Sequence, residues 1–371
     1  MNSAVSLIIC VCLFSVSNVA LSMAGLSKKR VAIVGSGNWG SAIARTVAKN
    51  VVEMDDYEDE VKMWTFEELV DGRNLSEIIN SENENVKYLP GIKLPKSVVA
   101  VPDLVDSCND ADVLVFVVPH QFLPRVLDTM KDNIKSDAVG ISLIKGLNID
   151  ENGPNLLSTM IQKKLGLSSV AVLMGANVAA DVVKDDFVEA TLGCPDIDVG
   201  NGLKPIFDCP TFRITCISDV PTVEICGAVK NVIAMGGGFC DGMGLGTSTK
   251  AAVLRRGLVE MCELCKKLSS SFNYATVLES CGVADVIATS FGGRNRKCAA
   301  EYARLRCEGL PASWETIETE ILGGQKMQGL GTLDEVIQWI DTLGCQSDFP
   351  LIYNIYGISR KDAALDSLFN F

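Results

Sequence analysis

Eight short apolar segments in the first part of the chain are spaced like the strands of an α/β sheet. Several are rich in β-branched residues, and stretches with helical periodicity lie between them. The segments are residues 31–34, 61–66, 98–101, 111–118, 138–144, 170–174, 188–192 and 212–216. Because strands that alternate with helices form parallel sheets covered on both faces, the pattern predicts a doubly wound α/β domain.

The pattern changes after residue 218, where helical periodicity continues without strands. Asp219 is placed to cap a helix, and Pro221 suits its first turn. Residues 223–235 form a nearly continuous apolar run, which predicts a buried helix. Further helices are predicted at 251–268, 276–288 and 298–305, and a glycine-rich loop at 236–246. We therefore predict two domains, an α/β domain at 28–218 and an all-helical domain at 219–371.

The first predicted strand leads directly into a glycine motif. Residues 35–40 match the pattern G-x-G-x-x-G, and a helical stretch follows. In such a turn Gly35 permits the bend, Gly37 lets a pyrophosphate approach bare backbone, and Gly40 lets the helix lie close to the strand. The helix N-terminus then stabilises the anion. The motif predicts a Rossmann-like dinucleotide site, with a purely structural turn as the alternative, formed by Gly35, Ser36, Gly37, Asn38, Trp39 and Gly40.

Other candidate site residues follow the predicted strands, at the edge where open α/β sheets bind ligands. Glu67 and Glu68 follow the second strand, where a carboxylate accepts from the ribose of NAD and repels the additional phosphate of NADP. His120 and Phe122 follow the fourth strand, and His120 has two interpretations, a nicotinamide contact and a plain turn. Lys145 follows the fifth strand and places a cation at the crevice.

The second predicted domain contains a lysine in an apolar helix and a cluster of cations. Lys230 interrupts the run at 223–235, and burying a lysine costs several kcal/mol unless it has partners or loses its proton. This cost favours a functional lysine over one that snorkels to solvent. Arg294, Arg296 and Lys297 follow a glycine pair at the start of a predicted helix. Because cations there oppose the helix dipole, we expect an anionic ligand.

Composition narrows the classes of partner and site. The net charge of −13 argues against nucleic acid or anionic membrane as a partner, so an anionic substrate requires a local basic pocket. The 14 cysteines lack the spacing of a disulfide framework and suit buried thiols in a reducing compartment. Cys262 and Cys265 form a C-x-x-C, for which a helix face is favoured over a metal or redox site. With one histidine in the chain, we predict no metal site.

Residues 1–27 form a candidate leader or extension. Their apolar run at 4–21 resembles the core of a signal peptide but lacks a preceding Lys or Arg. A membrane anchor is not predicted, because at ~1.5 Å per residue the run barely reaches the ~30 Å of a bilayer core. Met23 is a second candidate start. Three hypotheses remain: a cleaved leader, an unused extension and an ordered part of the fold, of which the last is the least favoured.

Taken together, several segments resemble NAD-dependent glycerol-3-phosphate dehydrogenases of the eukaryotic type. They are GSGNWGSAIA (35–44), VKYLPG (86–91), FVVPHQF (116–122), SLIKG (142–146), MGAN (174–177), TVEICGAVKNV (222–232), FCDGMGLG (239–246), TKAAV (249–253), ESCGVAD (279–285), GGRNRK (292–297) and GQKMQG (324–329). One departure is GTSTK at 246–250, where the family usually has Asn directly before Thr-Lys. The resemblance implies reversible reduction of dihydroxyacetone phosphate to sn-glycerol 3-phosphate by NADH, in a cytosolic homodimer.

The resemblance also implies roles for individual residues. Lys230 resembles the catalytic lysine, Lys145 a substrate-binding lysine, and Arg294 with Asn295 the phosphate site. The supporting polar residues of the family correspond to Asn231, Asp285 and Thr289. The residues that line the cofactor correspond to Phe66, Phe122, Ala179, Arg294, Lys326 and Gln328.

The residues and the resemblance lead to the same functional prediction. A dinucleotide fold supplies hydride chemistry, and Lys230 supplies a general acid and base at the substrate carbonyl. One alternative is another lysine-dependent two-domain dehydrogenase, acting on a 3-hydroxyacid or a sugar acid. A second alternative is a catalytically silent NADH-binding sensor, which has no need of a buried lysine opposite a cation cluster.

Overall fold

A computed structural model gives the architecture of residues 27–150, 153–270, 272–322 and 326–371. The hypotheses about a leader or extension at the N-terminus concern residues outside these ranges, apart from Ser27 itself. An eight-stranded sheet with flanking helices is followed by a helical region. This confirms the predicted fold class, a Rossmann-like doubly wound α/β part followed by an all-helical part.

Each strand of the main sheet corresponds to one predicted apolar segment. The strands are β1 (Lys29–Val34), β2 (Tyr57–Trp64), β3 (Val98–Val101), β4 (Val113–Phe116), β5 (Val139–Ser142), β6 (Val170–Met174), β7 (Val188–Gly193) and β8 (Phe212–Ile217). Their order across the sheet is β8-β7-β6-β5-β4-β1-β2-β3. Neighbours are parallel except β6 and β7, which are antiparallel. The strand order reverses between β1 and β4, and doubly wound sheets bind ligands at such a switch point.

Helices connect these strands and then form the second part of the chain. Those of the α/β part are α1 (Asn38–Val51), α2 (Leu75–Glu82), α3 (Leu104–Cys108), α4 (Leu123–Met130), α5 (Leu157–Leu165), α6 (Ala179–Val182) and α7 (Ile197–Leu203). Those of the helical part are α8 (Val220–Gly242), α9 (Thr247–Leu268), α10 (Tyr274–Leu278), α11 (Asp285–Gly292), α12 (Arg294–Cys307), α13 (Trp314–Leu322), α14 (Gly329–Leu343) and α15 (Pro350–Arg360). Two small hairpins pair Leu69–Val70 with Arg73–Asn74, and Asn148–Asp150 with Gly153–Asn155.

Helix α8 is the central helix of the molecule. Asp219 caps it as predicted, because its carboxylate accepts a hydrogen bond from the backbone N of Thr222 at 3.3 Å. The helix is long and apolar enough to cross a bilayer, but its tested span is wholly buried inside the protein. It packs on β6 and β7 and also contacts α9, α11, α12 and α14. These contacts identify α8 as the core helix that joins the helical part to the sheet.

The prediction of a glycine-rich loop at 236–246 is wrong for most of that segment, because α8 continues to Gly242. Close packing is the physical reason. A Cβ added to Gly238 would lie 2.4 Å from the carbonyl oxygen of Arg296, and one added to Gly242 would lie 2.1 Å from that of Ala300. The glycines therefore let the backbones of α8 and α12 touch. This packing outweighs the ~1 kcal/mol by which glycine disfavours a helix interior.

The cysteines agree with their predicted environment. Cys262 and Cys265 both lie on α9 and are buried, which confirms that their C-x-x-C spacing is that of a helix face. The cysteines of the described ranges are free thiols, and most of them are buried. In the same ranges, no group of three or more His, Cys, Asp or Glu side chains is arranged to hold a metal ion.

We expect Gly242→Ala to destabilise the protein, because the added methyl group cannot fit beside the Ala300 carbonyl without moving α12. Overpacking of this kind costs about 1–3 kcal/mol, whereas alanine gains at most ~1 kcal/mol as the better helix former. The free energy of unfolding in denaturant measures the change. Gly331→Ala is the matched control, because Gly331 lies on α14 with open space at its Cβ position. Equal effects of the two substitutions would contradict the close approach.

Candidate active site

The turn between β1 and α1 has the geometry of a pyrophosphate cradle. Gly35 has a φ of +123°, which L side chains rarely adopt. A Cβ added to Gly40 would lie 2.1 Å from the Gly35 carbonyl oxygen, so helix and turn are in close contact. Gly37, the N-cap residue of α1, has no neighbour within 4 Å of its Cβ position. Open space therefore adjoins the positive end of a 14-residue helix.

A residue that the sequence analysis missed holds this turn in place. Asn85 is fully buried, and its Nδ2 donates to the Ser36 carbonyl oxygen at 2.7 Å and to Ser41 Oγ at 2.9 Å. Its Oδ1 accepts from the backbone N of Tyr88 at 3.1 Å. Because a peptide unit is planar and trans, a Ser36 carbonyl held inward directs the Gly37 N–H outward. A single asparagine in a loop carries no sequence pattern that would have indicated this contact.

The predicted cofactor residues follow neighbouring strands at one edge of the sheet. The glycine turn follows β1, Phe66 follows β2, Phe122 follows β4, and Ala179 begins the helix after β6. Lys145 follows β5, which lies between β4 and β6. Phe66 and Phe122 are 68% and 57% exposed, although phenylalanine is normally buried. Exposed aromatic rings at this edge suit contact with the flat rings of a dinucleotide.

Other residues predicted near the cofactor have protein partners. Glu67 accepts from Ser76, and Glu68 accepts from Lys87 and Tyr88, each at 2.7 Å. The ribose contact expected of these carboxylates therefore gains no support from the structure.

The loop before α14 provides two further predicted cofactor residues. Lys326 pairs with Glu318 at 2.8 Å, and Gln328 directly precedes the helix. The other Glu318 oxygen accepts from the backbone N of Met327 at 3.0 Å. Glu318 thus holds this loop, while the cofactor contacts of Lys326 and Gln328 stay predictions.

Lys230 is buried, with 5% of its surface exposed, and it has the partners that its burial requires. Its Nζ donates to Asp285 Oδ1 at 2.5 Å and to Thr289 Oγ1 at 2.8 Å. Thr289 Oγ1 in turn donates to Asp285 Oδ1 at 3.2 Å. Lys145 Nζ lies 3.5 Å from the second Asp285 oxygen. Two lysines, one from the sheet edge and one from α8, thus flank a single buried carboxylate.

The charges around Lys230 change its acidity. Burial lowers the pKa of the Lys230 ammonium well below its usual range, Asp285 opposes this effect, and the Lys145 charge adds to it. Because burial and the second cation together outweigh the carboxylate, Lys230 releases a proton more readily than an ordinary lysine. Such a group is able both to give a proton to a bound oxygen and to take it back.

A polar network extends from α8 to the first turn of α12. This helix begins at Arg294, four residues earlier than predicted, with Gly293 as its N-cap residue. Asn295 Nδ2 donates to Asn231 Oδ1 at 2.8 Å, and Asn295 Oδ1 accepts from the backbone N of Gly329 at 2.9 Å. The structure therefore connects Asn231 and Asn295, two of the predicted substrate residues, through a direct hydrogen bond.

The three cations of this turn have different surroundings. Arg296 donates to Asp241 Oδ2 at 2.5 Å, and the same oxygen accepts from Lys250 at 2.7 Å, so two cations share this one carboxylate. Arg294 is exposed to solvent, yet the protein around it partly shields its guanidinium from water and lowers the pKa of that group. Lys297 is exposed. The role of Arg294 in binding an anion stays a prediction.

Comparison with known proteins identifies the family to which this chain belongs. A family model described as the NAD-dependent glycerol-3-phosphate dehydrogenase N-terminus matches residues 30–199, and the corresponding C-terminus model matches residues 219–370. The chain belongs to the NAD-dependent glycerol-3-phosphate dehydrogenase family. NAD is accordingly the cofactor, and the resemblance seen in the sequence is confirmed. Membership of a dehydrogenase family also overturns the alternative of a catalytically silent sensor.

Individual members of the glycerol-3-phosphate dehydrogenase family agree with this assignment. The cytoplasmic NAD(+) enzyme of Homo sapiens is 50% identical over 334 residues, which cover 90% of this chain and 94% of the human one. The Plasmodium falciparum structure has a TM-score of 0.87 at 40% identity and covers 93% of this chain and 95% of its own. The Dunaliella salina structure has a TM-score of 0.90 at 40% identity, and this chain spans 61% of that longer protein.

We expect Asn85→Ala to weaken NADH binding roughly 5- to 30-fold, because two hydrogen bonds that hold the glycine turn contribute about 1–2 kcal/mol together. A fluorescence titration measures the dissociation constant. The matched control is Asn80→Ala, which removes an amide that bridges α2 to Ala100 of β3 at 2.8 and 2.9 Å. If both substitutions weaken NADH binding equally, Asn85 has no specific role in the turn.

Proposed function

We propose that this enzyme interconverts dihydroxyacetone phosphate and sn-glycerol 3-phosphate, with Lys230 as the general acid and base. The observation that carries the proposal is the buried cluster of Lys230, Asp285 and Lys145 beside the sheet edge that suits a dinucleotide. Bound NADH would supply a hydride to the carbonyl carbon of the ketone. Membership of the family supports the same reaction, and it makes a 3-hydroxyacid or sugar-acid dehydrogenase the less favoured alternative.

The chain's own residues fit NAD at two points. The pyrophosphate would lie at the open space beside Gly37, where backbone N–H groups of the α1 N-terminus meet an anion. The neighbouring turn residues would complete this contact, namely Gly35, Ser36, Asn38, Trp39 and Gly40. The rings would lie against the exposed faces of Phe66 and Phe122, with Ala179, Arg294, Lys326 and Gln328 as further contacts.

Lys230 would act on the carbonyl oxygen of the substrate. As that oxygen gains negative charge, the ammonium polarises it and gives it a proton, and in the reverse direction the neutral amine takes the alcohol proton. Asp285 and Thr289 accept hydrogen bonds from Nζ and so fix its position. Lys145 contributes a second positive charge near the same oxygen and lowers the pKa of Lys230. Both effects favour proton transfer near neutral pH.

The phosphate would bind at the first turn of α12. Arg294 offers a planar fork to two phosphate oxygens, while backbone N–H groups of the helix N-terminus meet another. Asn231 provides an argument for a ligand at this turn. Its Nδ2 is buried and has no hydrogen-bond partner among the described residues. An unpaired buried donor costs about 1–3 kcal/mol, and a substrate oxygen would remove this cost. Asn295 orients Asn231 through the hydrogen bond between their amides.

We further propose that the work is divided between the two parts of the chain. Residues 28–218 supply most of the cofactor site together with Lys145, and residues 219–371 supply the proton donor, the phosphate site and the remaining cofactor contacts. A cytoplasmic location is supported by the 50% identical human relative, which is named cytoplasmic. The homodimer implied by the resemblance stays a prediction.

We expect Lys230→Met to lower kcat by ~10²–10⁴-fold or more, the usual contribution of a general acid. NADH binding should persist, because the lysine acts on the carbonyl and the cofactor binds at the sheet edge. Steady-state kinetics and an NADH titration measure the two effects. Lys250→Met is the matched control, since Lys250 is also buried on the helical part and paired with a carboxylate at 2.7 Å. Near-normal kcat in Lys230→Met would remove the lysine from the mechanism.

We expect Arg294→Ala to lower kcat/KM for dihydroxyacetone phosphate by about 2–5 kcal/mol of transition-state binding, the range for one partner of a charge pair that becomes buried when the substrate binds. Activity on unphosphorylated dihydroxyacetone should fall less, because that substrate makes no phosphate contact and is affected only through the cofactor contact of Arg294. Lysine at this position should rescue only partly, since it lacks the planar fork.

Arg296→Ala provides the comparison for this experiment, because Arg296 is already paired with Asp241. Equal losses on both substrates in Arg294→Ala would show that Arg294 supports the fold or the cofactor. A phosphate-specific loss in Arg296→Ala alone would move the assignment to Arg296.

A further inference from the structure

One carboxylate of the helical part contacts two separate segments of the sheet edge. Glu335, on α14, places Oε1 2.7 Å from His120 Nε2, and its Oε2 accepts from the backbone N of Leu147 at 3.1 Å. His120 begins the short 3₁₀ turn His120–Phe122 after β4, and Leu147 lies in the segment after β5. These two segments carry Phe122, a candidate cofactor contact, and Lys145, a candidate substrate contact.

The two segments are also packed directly against each other. A Cβ added to Gly146 would lie 2.8 Å from His120 Nδ1 and 2.9 Å from His120 Cγ, so the imidazole lies against the bare backbone of that glycine. One helical turn beyond Glu335, Trp339 Nε1 donates to the carbonyl oxygen of Asn148 at 2.8 Å. Helix α14 therefore holds the segment after Lys145 at two points on one face, since positions i and i+4 of a helix lie side by side.

The contact with Glu335 fixes the orientation of the histidine. An ionised carboxylate only accepts hydrogen bonds, so the proton lies on Nε2 of His120. Both side chains are about one-fifth exposed, at 22% and 21%. A hydrogen bond to a charged group contributes more when partly shielded from water than on an open surface. The pair is therefore able to hold the 3₁₀ turn and α14 in one relative position.

We propose that Glu335 and His120 are positioning residues, which set Lys145 in register with the cluster on α8 and α11. This inference rests on the proposed function, because it concerns the placement of the substrate lysine. Lys145 Nζ is 3.5 Å from Asp285 Oδ2, against 2.5 Å from Lys230 Nζ to Asp285 Oδ1. The longer contact lies near the limit of an ion pair. A shift of the backbone after β5 would break it, and a misplacement of about 1 Å is able to cost on the order of 10²-fold in rate.

The experiment compares Glu335→Ala with wild type in the full-length enzyme. We expect kcat/KM for dihydroxyacetone phosphate to fall roughly 10- to 100-fold, with the dissociation constant of NADH within about twofold of wild type, because the glycine turn is held independently by Asn85. Asp334→Ala is the matched control, since its carboxylate lies one residue away on α14 and pairs with Arg360 at the surface.

The pH profile provides a readout that a purely structural residue would not move. Lys145 lowers the pKa of Lys230, so displacing Lys145 raises that pKa. Oxidation of glycerol 3-phosphate needs the neutral amine, and its pH–rate midpoint should therefore shift to higher pH in Glu335→Ala. Asp285 and Thr289, the other groups that face Lys230, remain in place in this variant.

Variants of the histidine test the pair itself. His120→Gln retains an amide donor toward Glu335 and should keep most of the activity, whereas His120→Ala should resemble Glu335→Ala. The double substitution to alanine should be little worse than Glu335→Ala alone, because both remove the same contact.

Three results would overturn the inference. They are a kcat/KM of Glu335→Ala within twofold of wild type, an unshifted pH midpoint, and a loss of NADH binding that parallels the loss of turnover. Wild-type enzyme that fails to reduce dihydroxyacetone phosphate would instead defeat the proposed function. Active wild type together with an unaffected Glu335→Ala would defeat only the role of Glu335.

Discussion

The site depends on the burial of one lysine in the middle of the central helix. An isolated ammonium at this depth is too costly, so the fold must supply a carboxylate within hydrogen-bond distance. Asp285 meets this requirement at 2.5 Å, and Thr289 adds a second acceptor. Both come from α11, which must therefore pack against α8. Lys145, at the sheet edge, lies 3.5 Å from the second Asp285 oxygen and adds a further positive charge to the cluster.

The two parts of the molecule meet through contacts that are specific in geometry. Helix α8 packs on β6 and β7, which extends the hydrophobic core of the helical part to the sheet. Glu224, fully buried on α8, accepts from the backbone N of Leu157 and from Ser158 at the start of α5. Burial raises the pKa of Glu224 to about 7, against the effect of these donors. Apolar packing thus brings the parts together, and a few buried polar contacts fix their alignment.

Hydrophobic periodicity was sufficient to predict the sheet, and the predicted bounds of β3 and β6 coincide with those observed. It failed where packing overrides local preference. The glycines at 236–242 predicted a loop, but this segment is helical because it is closely packed, with Gly238 and Gly242 against α12. The start of α12 was missed because its first residues are polar, so they show no hydrophobic periodicity that would indicate a helix.

Some residues of the candidate site could be predicted from the sequence and others could not, because some of their contacts are local and others join distant parts of the chain. Lys230 was found because a lysine in an apolar run is conspicuous within a short window. Asn85 and Glu335 were missed because their contacts depend on the fold. The Glu335 carboxylate, for example, bonds a backbone N that lies 188 positions away in the chain. No window of local sequence contains both ends of such a contact, and only the folded chain brings them together.

The backbone contact between α8 and α12 has a consequence for substrate size. Lys230 lies on the first of these helices and Arg294 on the second, and glycines let the two main chains touch without side chains between them. The distance between the two main chains is therefore fixed by their contact, and only the Lys230 and Arg294 side chains are able to adjust the spacing between the proposed proton donor and the proposed anion site. If the substrate binds as proposed, a phosphorylated ketone with one carbon more or fewer between its carbonyl and its phosphate would require both side chains to move, because the helices that carry them cannot.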